Sequence, residues 1–271
     1  MKKFFQNTLA FIATIVSGLA LFSSTLMADN LKVALAAEPT SMDPHYQNLT
    51  INNSFATQVF NALVLQDVNQ NLIPGLASSW TPVDENTWEF KLRPGVKFHN
   101  GASFSAEDVV ATMKRAANVP NSPSSFGTFI KGKTFEIIDD LTLHVSTEKP
   151  YPFTPNDMSR VAIIDSAFEN ATTEDFNTGK ATFGTGPFTF SKWMPGDLIE
   201  IKRNDNYWGS AVEWDSITIR PIKDGTTRTA ALISGDVDFI ERVAPADLPN
   251  LEKRDGIKAV SYTHLTLPTK A

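Results

Sequence analysis

The residue types that carry out most enzymatic chemistry are missing or scattered in this chain. It has no cysteine and therefore no thiol nucleophile. It has no Gly-x-Ser-x-Gly turn for a serine nucleophile, and no glycine loop before Lys-Ser or Lys-Thr to hold phosphate. Its histidines lack the i, i+4 spacing of a zinc-binding helix, and their settings predict surface positions; they are His45, His99, His144 and His264. The sequence therefore predicts a protein that is not an enzyme and that needs no metal or cofactor.

One glycine-rich turn, Gly184-Thr185-Gly186, superficially resembles a phosphate-binding loop. It precedes a predicted strand rather than a helix, so no helix dipole would stabilise a phosphate there. The pattern favours a tight structural turn in which glycine supplies a positive φ.

Glu38 is the polar residue whose position best suits ligand binding. It lies just beyond a predicted buried strand that contains Leu31, Val33 and Leu35. Open α/β sheets bind ligands at the carboxyl ends of their strands. A carboxylate there could accept hydrogen bonds from amide or amino nitrogens, although an exposed loop acid without a role explains the residue equally well. Asp43, which precedes a proline, is predicted to be structural because such aspartates bond their own backbone.

Alternating and helical periodicities predict a mixed α/β fold. A strand is predicted at 88–92, and two hairpins at 136–145 and 188–202. A further strand contains Ile217 and Ile219. Helices are predicted near 50–63, capped by Thr50; from Ser105, with acids in its first turn; and at 227–234, capped by Thr226 and ended by Gly235.

The N-terminal segment indicates export. Lys2 and Lys3 precede a largely apolar run at 8–22, and Ala28 offers a small residue for cleavage. The run is shorter than the roughly 20 apolar residues of a membrane span. We therefore predict a secretory signal peptide over residues 1–28, rather than a membrane anchor.

Charge and composition restrict the partners. The chain carries a net charge of −6, and removing the predicted leader with its two lysines would shift it to −8. This opposes nucleic acid and anionic lipid as partners. A hydrophobic content of 42% fits a well-packed globular body. Without cysteine there is neither a disulfide nor a lipid-anchoring thiol, which favours a soluble protein of a Gram-negative periplasm.

Four motifs in a fixed order carry a resemblance to one family. They are Ser41-Met42-Asp43-Pro44, Arg93-Pro94-Gly95-Val96-Lys97-Phe98, Gly184-Thr185-Gly186-Pro187-Phe188-Thr189-Phe190 and Arg203-Asn204-Asp205-Asn206-Tyr207-Trp208-Gly209. From about Leu31 to Val260, the chain resembles the solute-binding proteins of peptide and nickel ABC importers, extracellular solute-binding family 5.

The resemblance implies a two-lobed fold of the type II periplasmic-binding-protein kind, of which this chain is the first lobe. It implies capture of a small solute, a di- or oligopeptide in the main reading, and delivery to an inner-membrane permease by a monomer. A nickel-chelate, opine or glutathione-type solute is the alternative. A secreted hydrolase, and a chemoreceptor adaptor on the same fold, are the other readings.

The resemblance also implies a set of ligand-binding residues: Glu38, Thr40, Tyr46, Asn53, Phe126, Arg160 and Gly184. An acid in the loop of Glu38 touches the bound chain in oligopeptide-binding relatives. Tyr46 falls near a cleft tyrosine, and Arg160 near a carboxylate-holding arginine, of nickel-binding relatives. The alternatives without a role in binding are a half-buried tyrosine at 46, a core phenylalanine at 126 and a surface arginine at 160.

The resemblance further implies the domain boundaries. We predict the first lobe over 29–260, with a small outer subdomain inserted at roughly 66–180. The Ser-, Thr- and Leu-rich stretch 261–271 breaks the preceding periodicities. We expect it to be a non-native tail that follows truncation near Val260, a real but poorly ordered terminus being the alternative. A first lobe alone would be aggregation-prone and would bind peptides only weakly.

Overall fold

The computed structural model describes residues 29–260. The predicted leader, 1–28, and the predicted tail, 261–271, lie outside the described residues. The strands are β1 (Asn30–Leu35), β2 (Val64–Gln66), β3 (Leu72–Pro74), β4 (Ala77–Pro82), β5 (Thr87–Leu92), β6 (Lys133–Asp139), β7 (Thr142–Thr147), β8 (Phe188–Met194), β9 (Leu198–Arg203), β10 (Ser216–Pro221) and β11 (Phe239–Ile240). The helices are α1 (Thr50–Val59), α2 (Ala106–Ala116), α3 (Gly127–Ile130), α4 (Thr154–Asp157), α5 (Thr173–Asn177), α6 (Gly225–Ser234) and α7 (Leu248–Leu251), with a 3-10 turn at Ser166–Phe168.

A five-stranded mixed sheet has the order β11-β1-β10-β9-β8. β1 runs parallel to both of its neighbours, with Val33 opposite Ile219 and Phe239. β8, β9 and β10 are antiparallel, and β8 and β9 form the predicted hairpin. The sheet therefore joins the start of the chain to strands almost 200 residues later.

A second sheet, with the order β4-β5-β7-β6, is antiparallel throughout. It contains the other predicted hairpin, β6–β7, and lies within the segment predicted as the outer subdomain. The bounds of that subdomain stay a prediction. One face of the sheet buries Phe90, Leu143 and Val145 against Val109 and Met113 of α2.

A separate core lies under the five-stranded sheet. Phe55 and Val59 of α1 pack with Phe188, Ile199 and Ile201 of the β8–β9 hairpin. Burying several such side chains contributes roughly 1.5–3 kcal/mol each. The end of α1 is thereby fixed on the sheet next to the glycine turn at 184–186.

Two of the four predicted helix ends are confirmed. The Ser105 amide donates to Asp108 Oδ2 at 2.8 Å, and Gly235 ends α6 with φ +79°. The Thr226 cap is wrong: Asp224 caps α6 by accepting from the Thr227 amide at 2.7 Å. The Thr50 cap is also wrong, because Leu49 occupies that position and Thr50 is already helical.

Within residues 29–260, no helix is both long enough and apolar enough to span a membrane.

Candidate ligand-binding cleft

A cleft of about 530 Å³ opens beside the C-terminal half of α1. The β2–β3 hairpin, the segment 159–162 and Tyr207 form its other walls. Three of the seven predicted site residues, Asn53, Phe126 and Arg160, line it together. These three residues are 73 and 34 positions apart in the sequence, yet they meet at one cavity, which the sequence alone could not place.

Arg160 supplies the charge of the cleft. It follows α4, its backbone amide bonds the Asp157 carbonyl at 3.0 Å, and its side chain is exposed. No carboxylate among residues 29–260 lies within ion-pair distance of its guanidinium, and no other charged residue lines the cleft in that part of the chain. A free planar guanidinium can hold a carboxylate through two parallel hydrogen bonds.

Amide side chains supply oriented polar groups. Asn53 Nδ2 donates to Asn48 Oδ1 at 2.8 Å, and Gln66 Nε2 donates to Asn156 Oδ1 at 3.1 Å. These bonds fix which end of each amide remains available to a ligand. A peptide, which presents both N–H donors and carbonyl acceptors, is well matched to such a lining.

Tyr207 is a cleft residue that the site prediction missed. Asn61 Oδ1 fixes the segment that contains Tyr207, because it accepts from Trp208 Nε1 at 3.0 Å and also from Thr185 Oγ1 at 3.1 Å. The Tyr207 hydroxyl is protonated near neutral pH, as an ordinary tyrosine is, and burial raises its pKa further. The sequence feature that could have pointed to Tyr207 was the aromatic pair near the end of the Arg203–Gly209 motif.

A buried ionic group lies behind the cleft. Arg115 donates to both carboxylate oxygens of Asp43, at 2.9 and 2.7 Å, and to the Ala171 carbonyl at 3.1 Å. Burial acts to raise the pKa of Asp43, but the hydrogen bonds and charge of Arg115 outweigh it and lower the pKa. Asp43 Oδ1 also accepts from the His45 amide at 3.0 Å, which confirms its structural role.

The surface positions predicted for His45 and His99 are wrong. His45 is fully buried, and burial followed by the charge of Arg115 lowers its pKa to about 4. His99 is half-buried, and this burial lowers its pKa. The polar turns around both residues suggested exposure, but the His99 ring bonds backbone groups through both nitrogens, and the His45 ring bonds the Ala162 carbonyl and the Arg115 side chain.

Gly184 is a packing position. Its amide donates to His99 Nδ1 at 3.2 Å and its carbonyl accepts from the His99 amide at 2.8 Å. The predicted positive φ is wrong for both Gly184 and Gly186. A Cβ at Gly184 would instead overlap the Val59 carbonyl oxygen, so close approach to the end of α1 requires glycine. Gly184 does not line the cleft.

Glu38, Thr40 and Tyr46 also lie outside the cleft lining. Glu38 accepts from the Gly196 amide at 3.0 Å and from Trp193 Nε1 at 3.3 Å, at the tip of the β8–β9 hairpin.

Thr40 and Tyr46 are tied into the same loop. Thr40 Oγ1 donates to Gln47 Oε1 at 2.8 Å and accepts from Asn52 Nδ2 at 3.0 Å. Tyr46 is half-buried, and its carbonyl accepts from Ser122 Oγ at 2.7 Å. The polar side chains of the loop after β1 thus bond other protein groups, locally for Thr40 and on the β8–β9 hairpin for Glu38.

Comparison with known proteins identifies the family to which the chain is similar. The family model of the bacterial extracellular solute-binding proteins, family 5 (middle region), matches residues 71–269. A glutathione-binding protein, GsiB, from Pectobacterium atrosepticum is 29% identical over 252 residues, which cover 92% of this chain and 49% of that protein.

Two solved structures share the fold. NikZ from Campylobacter jejuni, in complex with Ni(L-His), is 26% identical with a TM-score of 0.74, over 84% of this chain and 46% of NikZ. The oligopeptide-binding protein AppA from Bacillus subtilis, in complex with a nonapeptide, is 26% identical with a TM-score of 0.75, over 83% of this chain and 46% of AppA.

The fold is the mixed α/β fold of type II periplasmic binding proteins. The chain belongs to family 5 of the bacterial extracellular solute-binding proteins. It spans about half the length of the curated relatives it matches. The family match continues past Val260, so the boundary predicted there, and the non-native tail, stay predictions.

Proposed function

We propose that the chain is the first lobe of a periplasmic solute-binding protein, and that the whole protein binds a di- or oligopeptide and delivers it to an ABC transporter permease. The observation that supports a peptide best is the free guanidinium of Arg160 in a cleft otherwise lined by amide, hydroxyl, aromatic and aliphatic groups. A carboxylate pairs with the guanidinium, and the amides match a peptide backbone.

In this proposal residues 29–260 form one wall of the binding site, with the outer subdomain at roughly 66–180. A second lobe closes over the solute by a hinge motion. The protein works as a soluble periplasmic monomer and makes or breaks no bond. Asn53 and Arg160 contact the solute from the cleft, and Phe126, which is only 2% exposed, packs behind that wall. Glu38, Thr40, Tyr46 and Gly184 shape the surrounding loops.

Glutathione is a second candidate, because relatives named as glutathione-binding proteins match nearly the whole chain. It is itself a small peptide with free carboxylates, so the same cleft chemistry applies. Nickel chelates and opines, which also carry carboxylates, are the remaining alternatives within the class.

Calorimetry on the full-length protein encoded by the gene tests the proposal. The titrants are a series of di- to pentapeptides, their C-terminally amidated forms and reduced glutathione. We expect Arg160→Met to weaken binding of free-acid peptides about 10- to 100-fold, the effect of one charge-assisted bond, and to change binding of amidated peptides little. Arg254→Met, an exposed arginine outside the cleft, is the matched control.

Failure of every titrant to bind the wild type would refute peptide or glutathione binding. Mass spectrometry of the titrants after overnight incubation separates binding from hydrolysis, because a binding protein returns the peptide unchanged.

A further inference from the structure

His45 connects the buried ionic group to the wall of the cleft. Its Nδ1 lies 2.9 Å from Arg115 Nη1, and its Nε2 lies 2.7 Å from the Ala162 carbonyl oxygen. Its ring meets the Phe126 ring edge-on, with centroids 6.1 Å apart. Both Ala162 and Phe126 line the cleft, whereas His45 itself does not.

These partners fix the protonation of the imidazole. A guanidinium N–H can only donate, so Nδ1 must accept; a carbonyl oxygen can only accept, so Nε2 must carry the proton. His45 is therefore neutral and held as one tautomer. Arg115 is in turn held by the two Asp43 oxygens, and its guanidinium lies 4.4 Å from the centre of the Phe176 ring. The donor to Ala162 thus sits on a rigid chain of buried contacts.

Ala162 is also held from its other side. It pairs with Ala62 in an isolated antiparallel bridge, and the next amide, of Ile163, donates to the Asn61 carbonyl at 2.9 Å. Asn61 and Ala62 line the cleft too. The wall segment that begins at Ser159 and Arg160 is therefore attached to the end of α1 and to His45, and just beyond Ile163 it is also attached to α2, where Thr112 Oγ1 accepts from the Ile164 amide at 3.0 Å.

We propose that His45 is a positioning residue for solute binding: its Nε2–H and ring hold the Ala162 and Phe126 wall, and through it Arg160, in the binding geometry. This inference rests on the proposed function, since it concerns the solute that the cleft takes. Loss of the His45–Ala162 hydrogen bond would free one attachment of the wall and leave the backbone fold of the sheets in place.

Three variants of the full-length protein separate positioning from stability, with trialanine and reduced glutathione as probes. His45→Phe keeps the ring but removes both hydrogen bonds. His45→Gln restores an amide N–H donor and an oxygen acceptor. Arg228→Met is the matched control, because Arg228 is buried and donates to the carbonyls of Ile222, Lys223, Glu241 and Arg242, none of which lines the cleft.

We expect His45→Phe to weaken binding about tenfold or more, because the Ala162 carbonyl in the cleft wall loses its buried donor, and His45→Gln to recover most of it. Arg228→Met should lower the melting temperature without changing the affinity. Equal affinity of wild type and His45→Phe would overturn the positioning role and leave the proposed function standing. A wild type that binds neither probe nor any other peptide would overturn both.

A measurement on the wild type covers the case in which His45→Phe does not fold. Nitrogen-15 NMR of the imidazoles should show His45 as the Nε2–H tautomer and should show its resonances shift on adding a bound probe. His144, which faces Glu89 in the four-stranded sheet, should not shift. An unperturbed His45, or the opposite tautomer, would contradict the proposal.

Discussion

The guanidinium of Arg115 grips the carboxylate of Asp43 through two parallel hydrogen bonds, across 72 positions of sequence. Their side chains are 6% and 0% exposed. The pair joins the loop after β1 to α2, and therefore joins the two sheets of the fold. Because it is bidentate and further bonded to Ala171 and Thr173, both charges are well compensated.

Breaking this pair should destabilise the fold strongly. Arg115→Met leaves the Asp43 carboxylate buried without its counter-charge, and we expect a loss of about 3–5 kcal/mol in the free energy of unfolding. Urea denaturation measures it. Lys91→Met, which removes the exposed ion pair with Glu89, should hardly move the midpoint. Similar midpoints for the two variants would show that the Asp43–Arg115 pair is not a tie between the sheets.

Local patterns are sufficient to predict much of the secondary structure. Alternation indicates the β6–β7 and β8–β9 hairpins, and the acids after Ser105 indicate the start of α2. These signals act within a few residues of sequence. The side-chain partners of Arg115, Asp43 and His45, lie 72 and 70 positions away. Nothing in the amphipathic pattern of α2 distinguishes a buried arginine from a solvated one.

The candidate site is only partly predictable for the same reason. The sequence singles out Asn53, Phe126 and Arg160, but their convergence on one cleft follows from packing between elements. Tyr207 stands out only as part of a motif. For Gly184 the sequence indicates a need for glycine but suggests the wrong cause, because the close approach of Val59 is invisible until the helix is docked.

Glycine at 184 should contribute strongly to stability. A Cβ added there would overlap the Val59 backbone, and moving a flexible side chain cannot relieve that overlap. We expect Gly184→Ala to cost about 1–3 kcal/mol or more through overpacking. Gly132→Ala is the control, since Gly132 has φ +78° with open space around it and should lose only about 1 kcal/mol. Thermal melts of both variants rank the two effects, and a Gly184→Ala variant as stable as the control would rule out the close approach.

Glu38 links the loop after β1 to the tip of the β8–β9 hairpin, across 158 positions. We expect Glu38→Ala to lower stability by about 1 kcal/mol, the net contribution of an ordinary hydrogen bond, and to alter the fluorescence of Trp193. Titration with peptides decides whether Glu38 also serves the solute. A loss of affinity without a change in the melting curve would assign it to the ligand, and unchanged affinity with a lowered melting temperature would assign it to the loop.

Stability should depend on pH through His45. Its pKa of about 4 in the folded protein is below the ordinary value of 6.5, so the unfolded chain binds more protons between these values. The contribution of neutral His45 to the free energy of unfolding is therefore present in full above about pH 6.5. It is lost as pH falls towards 4, by about 3 kcal/mol for a shift of this size. The charged groups that face the ring, Asp43 and Arg115, keep their charges in this range because the pKa of Asp43 is lowered. His99 contributes with the same sign, and Asp108, whose pKa burial raises, with the opposite sign.

Comparison of wild type with His45→Gln isolates the His45 contribution from the other two groups. Urea unfolding at half-unit steps from pH 7.5 to 4.5 should show a steeper decline for wild type, by up to one proton per molecule between the two states. The curves should run parallel above pH 7, where His45 is neutral in both states. Parallel curves over the whole range would mean that His45 is solvated in the folded protein, contrary to its complete burial and its bond to Ala162.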